Sequence, residues 1–319
     1  MRYKEAGVDL DKAKRIVDIL REINSQIGEF GGIFPIDEER YIVASVDGVG
    51  TKITIAVELD KHRGIGEDLV NHCVNDIFCM GAKPLFFIDY FATGKLDLGV
   101  FKEVIQGIDV ATKAHDMVLL GGETAEMPSY YEGGEYELVG FIVGEVNRKD
   151  RLPRKQKIKP ADLVIGFSSS GLHTNGYSLV RKIIADGKLS LDRYYDEIGN
   201  TLGDELLKVH RSYFFLYPYL SHIKAIAHIT GGGLYDNLIR VLPEGLGAKI
   251  KKIWPIPPIF NLIMKYGNVS EEEMFHVFNM GIGMTAIVGQ TDIPMLEDKL
   301  DENFYIIGEI INRPGVWIE

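Results

Sequence analysis

The sequence of 319 residues contains only two cysteines, Cys73 and Cys79, which excludes a disulfide framework or a multi-cysteine zinc site as the basis of the fold. It also lacks any apolar run approaching the roughly 18 residues of a membrane-spanning helix. No apolar segment of the signal-peptide kind follows residues 1–5. We therefore expect a soluble cytoplasmic protein that is not exported, with both thiols buried in a reducing compartment.

The sequence also has fewer basic residues than acidic ones. Lysine and arginine number 35 against 46 acidic residues, a formal net charge of −11. A surface of this sign repels nucleic acid and anionic lipid, so neither is an expected partner. An anionic ligand would need a local site built from backbone amides, metal ions or a few lysines. The remaining composition is ordinary for a globular protein, and the length favours two domains.

The standard nucleotide-binding motifs are absent, although 35 glycines would favour chance matches. There is no G-x-x-x-x-G-K-[ST] and no G-x-G-x-x-G after a strand, so neither a P-loop nor a Rossmann site is indicated.

Hydrophobic periodicity predicts a layered α/β or α+β first domain over residues 1–150. Its elements are a helix at 11–27, strands at 41–46 and 53–57, a helix at 68–82, a strand at 85–93, a helix at 100–114, and strands at 117–120 and 138–146. The basic segment 148–160 is the predicted linker. A second α/β domain over residues 160–319 is predicted to contain strands at 163–167, 248–250, 284–288 and 305–310 and helices near 177–185, 202–216, 234–242 and 259–266.

Three acidic residues lie beside glycine-rich or turn-like segments: Asp47, Asp76 and Glu123. Mg²⁺ takes one or two carboxylates directly and bridges phosphate oxygens, so such residues suit a metal–triphosphate site. The alternative for each is a helix cap or a turn-stabilising carboxylate. Asp76 lies four residues after His72, on one side of a predicted helix.

Two segments of the second domain place glycine, hydroxyl and amide groups between a strand and a helix or ahead of a helix, which is an anion-binding geometry. They are 168–176 and 230–233, and ordinary loop punctuation is the alternative. His173 lies among polar residues and suits proton transfer or substrate binding. His228 has apolar neighbours, so a core histidine is equally compatible. Lys52 is either a phosphate ligand or the exposed start of a strand, and the other six histidines show no metal-ligand spacing.

The order of these motifs resembles the phosphoribosylformylglycinamidine cyclo-ligase family, also called aminoimidazole ribonucleotide synthetase. The resemblance is collinear from residue 3 to about 285, and the segments that carry it are 3–9, 46–52, 74–77, 89–97, 121–128, 169–179 and 228–233. It implies an ATP-dependent ligase of purine biosynthesis that closes the imidazole ring of formylglycinamidine ribonucleotide. The substrate's amide oxygen attacks the γ-phosphate, and a nearby nitrogen then closes the ring as phosphate leaves.

The resemblance also implies the roles of individual residues. Asp47, Asp76 and Glu123 would bind Mg²⁺, and His173 and Asp76 would be catalytic. ATP would contact Gly48, Gly50, Thr51, Lys52, Asp76, Gly121, Gly122 and Glu123. The substrate and its phosphate would contact Ser169, Gly171, His173, Thr174, Asn175, Thr230, Gly231 and Gly232.

The family fold implied is a ferredoxin-like, split β-α-β N-terminal domain that forms a barrel across a homodimer, followed by a C-terminal α/β domain. One departure concerns the glycine-rich segment 28–34, where the chain lacks the basic residues that family members carry. A nucleotide-binding lysine there is therefore not implied, but the segment is still compatible with a glycine-rich lid over ATP, because backbone amides need no side chain. Alternatives on the same architecture are a thiamine-monophosphate kinase, a selenophosphate synthetase, which should show a reactive cysteine and a lysine in that segment, and a non-catalytic nucleotide-binding protein.

Overall fold

The computed structural model describes residues 1–23 and 29–319, and it contains two main β-sheets with helices packed on them. The elements of the first half are α1 (Leu10–Ile23), β1 (Gly32–Pro35), β2 (Arg40–Gly48), α2 (Lys52–Leu59), α3 (Arg63–Phe78), β3 (Lys83–Thr93), α4 (Leu98–Ala114), β4 (Val118–Glu126) and β5 (Tyr136–Asn147). The predicted lid residue Gly28 lies outside the described residues, as do residues 24–27 of the predicted first helix.

The second half contains β6 (Leu163–Ser168), α5 (Tyr177–Ala185), β7 (Tyr194–Tyr195), β8 (Asn200–Thr201), α6 (Leu202–Leu206), β9 (Ile223–His228), α7 (Gly233–Val241), β10 (Gly247–Ile250), α8 (Pro258–Gly267), α9 (Glu271–Val277), β11 (Ile282–Val288), α10 (Ile293–Lys299), β12 (Phe304–Ile311) and β13 (Gly315–Ile318). Short 3₁₀ helices occupy Tyr3–Ala6, Lys155–Lys157, Phe214–His222 and Gln290–Asp292. No helix among the described residues is long and apolar enough to cross a membrane.

The first sheet has the order β1-β2-β5-β3-β4, and in the described part of the chain helices cover one of its faces. Side chains alternate between the faces of a strand, and Phe87 and Phe91 of β3 are buried in a core shared with α3 and α4. On the other face, Val46 and Phe141 are paired across β2 and β5 and are 61% and 41% exposed. The single chain therefore contains no closed barrel among its described residues, and it leaves an apolar sheet face open.

The second sheet has the order β13-β10-β12-β6-β11-β9. Its interior strand β11, next to the edge strand β9, is buried along its whole length, as expected of a strand with structure on both faces. The predicted strands at 41–46, 85–93, 138–146 and 163–167 are confirmed.

Two predictions from the sequence are wrong. Residues 53–57 form helix α2 because Ile53, Ile55 and Ala56 are buried, and this packing outweighs the strand propensity of a β-branched run. The helix predicted at 202–216 ends at Leu206, and an irregular segment separates it from the 3₁₀ helix that contains Pro218. The predicted linker 148–160 lies between β5 and β6, and its Arg154 donates to the carbonyl oxygens of Leu220 and Ile223.

Helices α3 and α4 approach closely through Gly66 and Gly107. A methyl group on Gly66 would clash with the carbonyl oxygen of Val104, and one on Gly107 would clash with that of Arg63. We expect Gly107→Ala to lower the free energy of unfolding by at least about 2 kcal/mol, since backbone atoms must separate. In the control Gly64→Ala, also in α3, the nearest atom lies 3.5 Å away, so no loss is expected. Chemical denaturation measures both, and equal effects would contradict this packing.

Candidate active site

A cluster of buried polar side chains lies where α3 meets the second half of the chain. Asp47 comes from the end of β2, and His72 and Asp76 come from consecutive turns of α3. His228 comes from the end of β9, and His173 comes from the loop between β6 and α5. The last four of these side chains, those of His72, Asp76, His228 and His173, are buried. His210, in the irregular segment after α6, is buried as well. The junction of the two halves thus brings together groups that are far apart in the sequence.

Hydrogen bonds connect the cluster. Asp47 Oδ2 lies 3.0 Å from His72 Nε2, and His72 Nδ1 lies 2.9 Å from Thr174 Oγ1. Asp76 Oδ1 lies 2.8 Å from His228 Nδ1, and its Oδ2 lies 3.8 Å from His72 Nε2. The two carboxylates therefore face the same nitrogen of His72.

The pKa values within the cluster move in opposite directions. Burial alone would lower the pKa of His72, but the charges of Asp47 and Asp76 outweigh it and raise that pKa to about 9. Burial raises the pKa of Asp76 to about 7, while the charge on His72 overcomes burial and lowers the pKa of Asp47. Burial also lowers the pKa values of His173, His210 and His228 well below the usual range. Near neutral pH, Asp47 and His72 thus form an ion pair beside three neutral imidazoles.

Three of the predicted binding loops converge on this cluster. A Cβ atom on Gly50 would lie 4.0 Å from the carbonyl oxygen of Thr174, and Thr51 Oγ1 lies 3.2 Å from Ser178 Oγ at the start of α5. A Cβ atom on Gly231 would lie 3.5 Å from Asn175 Oδ1. The segments 47–52, 168–176 and 230–233 therefore adjoin one another.

The loop at 168–176 is held firmly and presents unpaired donors. Asn279 Nδ2 donates to the carbonyl oxygen of Gly171 at 2.9 Å, and Ser169 Oγ donates to Asn279 Oδ1 at 3.0 Å. The amide of Ser170 donates to His173 Nε2 at 3.3 Å, so a neutral His173 carries its hydrogen on Nδ1. His173 Nδ1 and Asn175 Nδ2 are buried without a hydrogen-bond partner among the described residues. Buried donors of this kind indicate that a ligand supplies the acceptors.

The two helix N-termini at these loops differ. Gly232 precedes α7 with a φ of 91°, and Asp236 in the first turn lies against it. A protein carboxylate therefore already complements that N-terminus. Helix α5 begins after Gly176, with a φ of 82°, and has no acidic residue in its first turn. The α5 end is thus the better place for an anion.

Lys52 does not occupy the position that either interpretation of the sequence gave it. Its ammonium is fully buried, 2.7 Å from Asp68 Oδ2, and donates to the carbonyl oxygen of Lys208 at 2.7 Å. This burial disagrees with a phosphate-binding role, because no exposed side of the ammonium faces a ligand. Lys52 instead connects the start of α2 to α3 through Asp68, and to the second half of the chain through Lys208.

Glu123 is not brought to the cluster within the described chain. Asp47, Gly140, Asp89 and Gly122 align across four strands on the helix-covered face. Glu123 pairs with Tyr90, one position further, and therefore points to the opposite face, where it is exposed. Gly121 and Gly122 are likewise in strand β4 and exposed.

Sequence reasoning left His72 and His210 unassigned, although both belong to the cluster. The spacing of His72 and Asp76 was a usable signal, because residues four apart share a helix face. His210 lies in an irregular segment without periodicity, so no pattern marked it.

Nitrogen atoms of His173, His210 and His228 lie within 4.8 Å of one another, but the arrangement is not that of a metal centre. The rings of His173 and His210 stack with centroids 4.0 Å apart and planes 20° from parallel. Their in-plane lone pairs run side by side and do not converge on one ion. The carboxylates of Asp47 and Asp76 offer the oxygen ligands that a hard cation prefers; both face His72 Nε2, and Asp47 is partly exposed.

A separate cleft of about 410 Å³ lies outside this cluster and is lined by Asp60, Lys61, His62, Arg63, Gly64, Ile65, Glu103, Asp204 and Leu207. Its charged groups are engaged with one another, as in the ion pair of Lys61 with Asp204. The cleft therefore lacks the unpaired buried donors found at the cluster.

Comparisons with known proteins identify the family. Residues 28–146 match the family described as AIR synthase related protein, N-terminal domain, and residues 159–318 match its C-terminal domain. A phosphoribosylformylglycinamidine cyclo-ligase of Thermoanaerobacter pseudethanolicus is 46% identical over 333 residues, which covers 99% of each chain.

Two solved structures share the fold at low identity. AaThiL complexed with AMPPCP and TMP has a TM-score of 0.67 and 13% identity, covering 95% of this chain and 92% of the other. Thiamine monophosphate kinase from Aquifex aeolicus has a TM-score of 0.66 and 14% identity, covering 100% and 98%.

Proposed function

The chain belongs to the AIR synthase related family, and we propose that the cluster between its two halves is where it performs the ring closure of its cyclo-ligase relatives. The chain is a ligase of purine biosynthesis that converts formylglycinamidine ribonucleotide and ATP into aminoimidazole ribonucleotide, ADP and phosphate. The observation that supports this location is the convergence of three glycine-rich segments on buried, unpaired donors.

The chemistry requires two phosphate-bearing ligands to lie side by side. An amide oxygen leaves carbon only after it has been phosphorylated, so the γ-phosphate and the formyl-derived oxygen must be held in contact. The neutral donors His173 Nδ1–H and Asn175 Nδ2–H suit oxygen atoms of the substrate or of the transferred phosphoryl group. The N-terminus of α5 has no acidic residue in its first turn and has Ser178 and Thr51 beside it, so it suits a phosphate group.

The negative charge of ATP needs a counter-charge that this acidic chain supplies poorly. Asp47 and Asp76 are the residues that would hold Mg²⁺, which would neutralise the phosphate oxygens. His72 keeps both carboxylates in place, since its Nε2 faces each of them. Glu123 remains a predicted ligand that the single chain does not bring to this point.

The function is tested with substrate that carries ¹⁸O in its formyl-derived amide. The expected result is transfer of the label into inorganic phosphate, with one ADP formed for each aminoimidazole. A kinase of the same fold, which the likeness to thiamine monophosphate kinase makes the second candidate, would instead form a phosphorylated product without free phosphate. Unlabelled phosphate would contradict the proposed attack, and an absence of turnover in folded protein would contradict the function.

The open face of the first sheet supports the predicted homodimer and its barrel. A sheet with one uncovered apolar face is most simply completed by a second copy. We expect Phe141→Glu, in the central strand, to convert the dimer to a monomer, because it places a charge inside the contact. Trp317→Glu is the matched control, since Phe141 and Trp317 are each 41% exposed aromatic residues on strands. Light scattering after size exclusion measures both, and a monomeric parent protein would contradict the proposal.

The same arrangement gives each half a proposed role. Residues 1–150 would bind ATP and form the dimer, and residues 160–319 would bind the substrate phosphate. The cytoplasmic location remains a prediction, and the buried free thiols of Cys73 and Cys79 are compatible with a reducing compartment.

A further inference from the structure

The turn between α9 and β11, residues 278–281, packs against the loop between β6 and α5. The carbonyl oxygen of Gly281 in this turn accepts from the amide of Ser169 at 2.9 Å. At the other end of the loop, a Cβ atom on Gly176 would clash with the ring of Phe278. The turn therefore contacts the loop both near its start and at the residue before α5.

Asn279 of this turn is buried, and its side-chain amide can adopt only one orientation. Its Oδ1 accepts from the amide of Gly281 at 2.8 Å and from Oγ of Ser169 at 3.0 Å. Because a backbone amide only donates, the atom that it binds must be the side-chain oxygen. Nδ2 is then the atom that donates to the carbonyl oxygen of Gly171 at 2.9 Å. Asn279 thus joins the turn to the loop through bonds that do not depend on the ionisation of any side chain.

The carbonyl groups of the loop are bound by protein donors where its amides are not. Tyr213 Oη donates to the carbonyl oxygen of Ser168 at 2.9 Å, and Asn279 Nδ2 binds that of Gly171. The peptide bond between Gly171 and Leu172 is trans, so its carbonyl and its N–H point in opposite directions. The N–H of Leu172 therefore points away from Asn279, and no described residue accepts from it or from the amide of Gly171. Backbone N–H groups left open in this way suit an anion.

We propose that Asn279 is a positioning residue for the substrate, because it holds the Gly171 carbonyl on the side of the peptide opposite the ligand and so leaves the Leu172 N–H available. The effect on catalysis rests on the proposed function, in which this loop binds the substrate and its phosphate. Without Nδ2, the buried carbonyl of Gly171 loses its donor, and rotation of the peptide would turn that oxygen toward the anion. We expect Asn279→Ala to raise KM for formylglycinamidine ribonucleotide about tenfold or more, with KM for ATP within about threefold, because the lost contact concerns one ligand.

The matched control is Trp254→Phe. Trp254 is buried, and its Nε1 donates to the carbonyl oxygen of Met280 at 2.9 Å, so it stabilises the same turn without a described hydrogen bond to the loop. Hydrogen–deuterium exchange of the full-length protein without ligands reports on the loop through the amides of Ser169 and Ser170, which are both hydrogen-bonded. KM values and melting temperatures are measured on the same samples.

We expect peptides that cover residues 168–176 to exchange about tenfold faster in Asn279→Ala than in the parent protein, and at the parent rate in Trp254→Phe. The rise in KM for the substrate should likewise occur in Asn279→Ala alone. Unchanged exchange in Asn279→Ala would overturn the proposal, as would an unchanged KM for the substrate. Equal rises of both KM values, or effects in the two variants that only follow their losses of melting temperature, would also overturn it and leave Asn279 a structural role. If the ring-closure assay fails for every folded sample, the proposed function fails, while the exchange rates still decide whether Asn279 holds the loop.

Discussion

Replacing Asp76 with asparagine is expected to lower kcat for ring closure by about 100-fold or more, with little change in melting temperature. Asp76 bonds to His228 and faces His72 beside the proposed Mg²⁺ site. Asparagine keeps the shape of the side chain but loses the negative charge, which the nucleotide complex needs. Stability should be nearly unchanged, because burial already disfavours the charged form and raises the pKa of Asp76 to about 7.

The control for Asp76 is Glu67→Gln on the same helix. Glu67 is partly exposed and pairs with Arg63 at 3.7 Å, outside the cluster. An exposed pair of this kind contributes little, so both activity and melting temperature should stay close to those of the parent protein. If Asp76→Asn retained full turnover but melted at a much lower temperature, Asp76 would be a structural carboxylate.

Replacing Lys52 with methionine is expected to give the largest loss of stability. The substitution leaves the Asp68 carboxyl buried without its cation, and breaking a buried pair costs about 3–5 kcal/mol. Burial already raises the pKa of Asp68 to about 6 despite the adjacent ammonium, so the isolated carboxylate is poorly tolerated. At about 2–4 °C per kcal/mol for a chain of this size class, the melting temperature should fall on the order of 10 °C.

The double variant Lys52→Met with Asp68→Asn separates the charge effect from the loss of packing. The side-chain oxygen of the introduced asparagine can still accept from the His210 amide, as Asp68 Oδ1 does at 2.7 Å, while no buried charge remains. We expect the double variant to recover a large part of the lost stability. An unchanged melting temperature in the single variant, or a loss of ATP binding at unchanged stability, would contradict the structural role and favour the phosphate contact first predicted for Lys52.

The segments that form the candidate site could be predicted from the sequence, whereas their arrangement in space could not. Segments 47–52, 168–176 and 230–233 were recognisable because glycine and hydroxyl residues between regular elements have a local physical meaning. Their convergence depends on how α3 packs between two sheets, which no local pattern encodes. Lys52 shows the same limit, since its burial depends on Asp68 in another helix and on the carbonyl oxygen of Lys208, which is distant in the sequence.

The errors in secondary structure have a similar origin. Four of the five residues 53–57 are β-branched, and only the burial of this segment beside α3 makes it helical. His210 was missed because it is placed by side chains of α3 and not by any regularity of its own segment. The open sheet face could not be predicted from the sequence either. Alternation of apolar and polar residues along a strand shows that its two faces differ, but it does not show what covers each face.

The most direct test of the account is the position of the nucleotide in a crystal of the protein grown with a non-hydrolysable ATP analogue and Mg²⁺. We expect a metal ion at about 2.1 Å from carboxylate oxygens of Asp47 and Asp76, next to the terminal phosphates, with His173 and Asn175 facing the same space. A nucleotide bound elsewhere, for example in the cleft lined by Lys61 and Arg63, with the histidine cluster untouched, would contradict it.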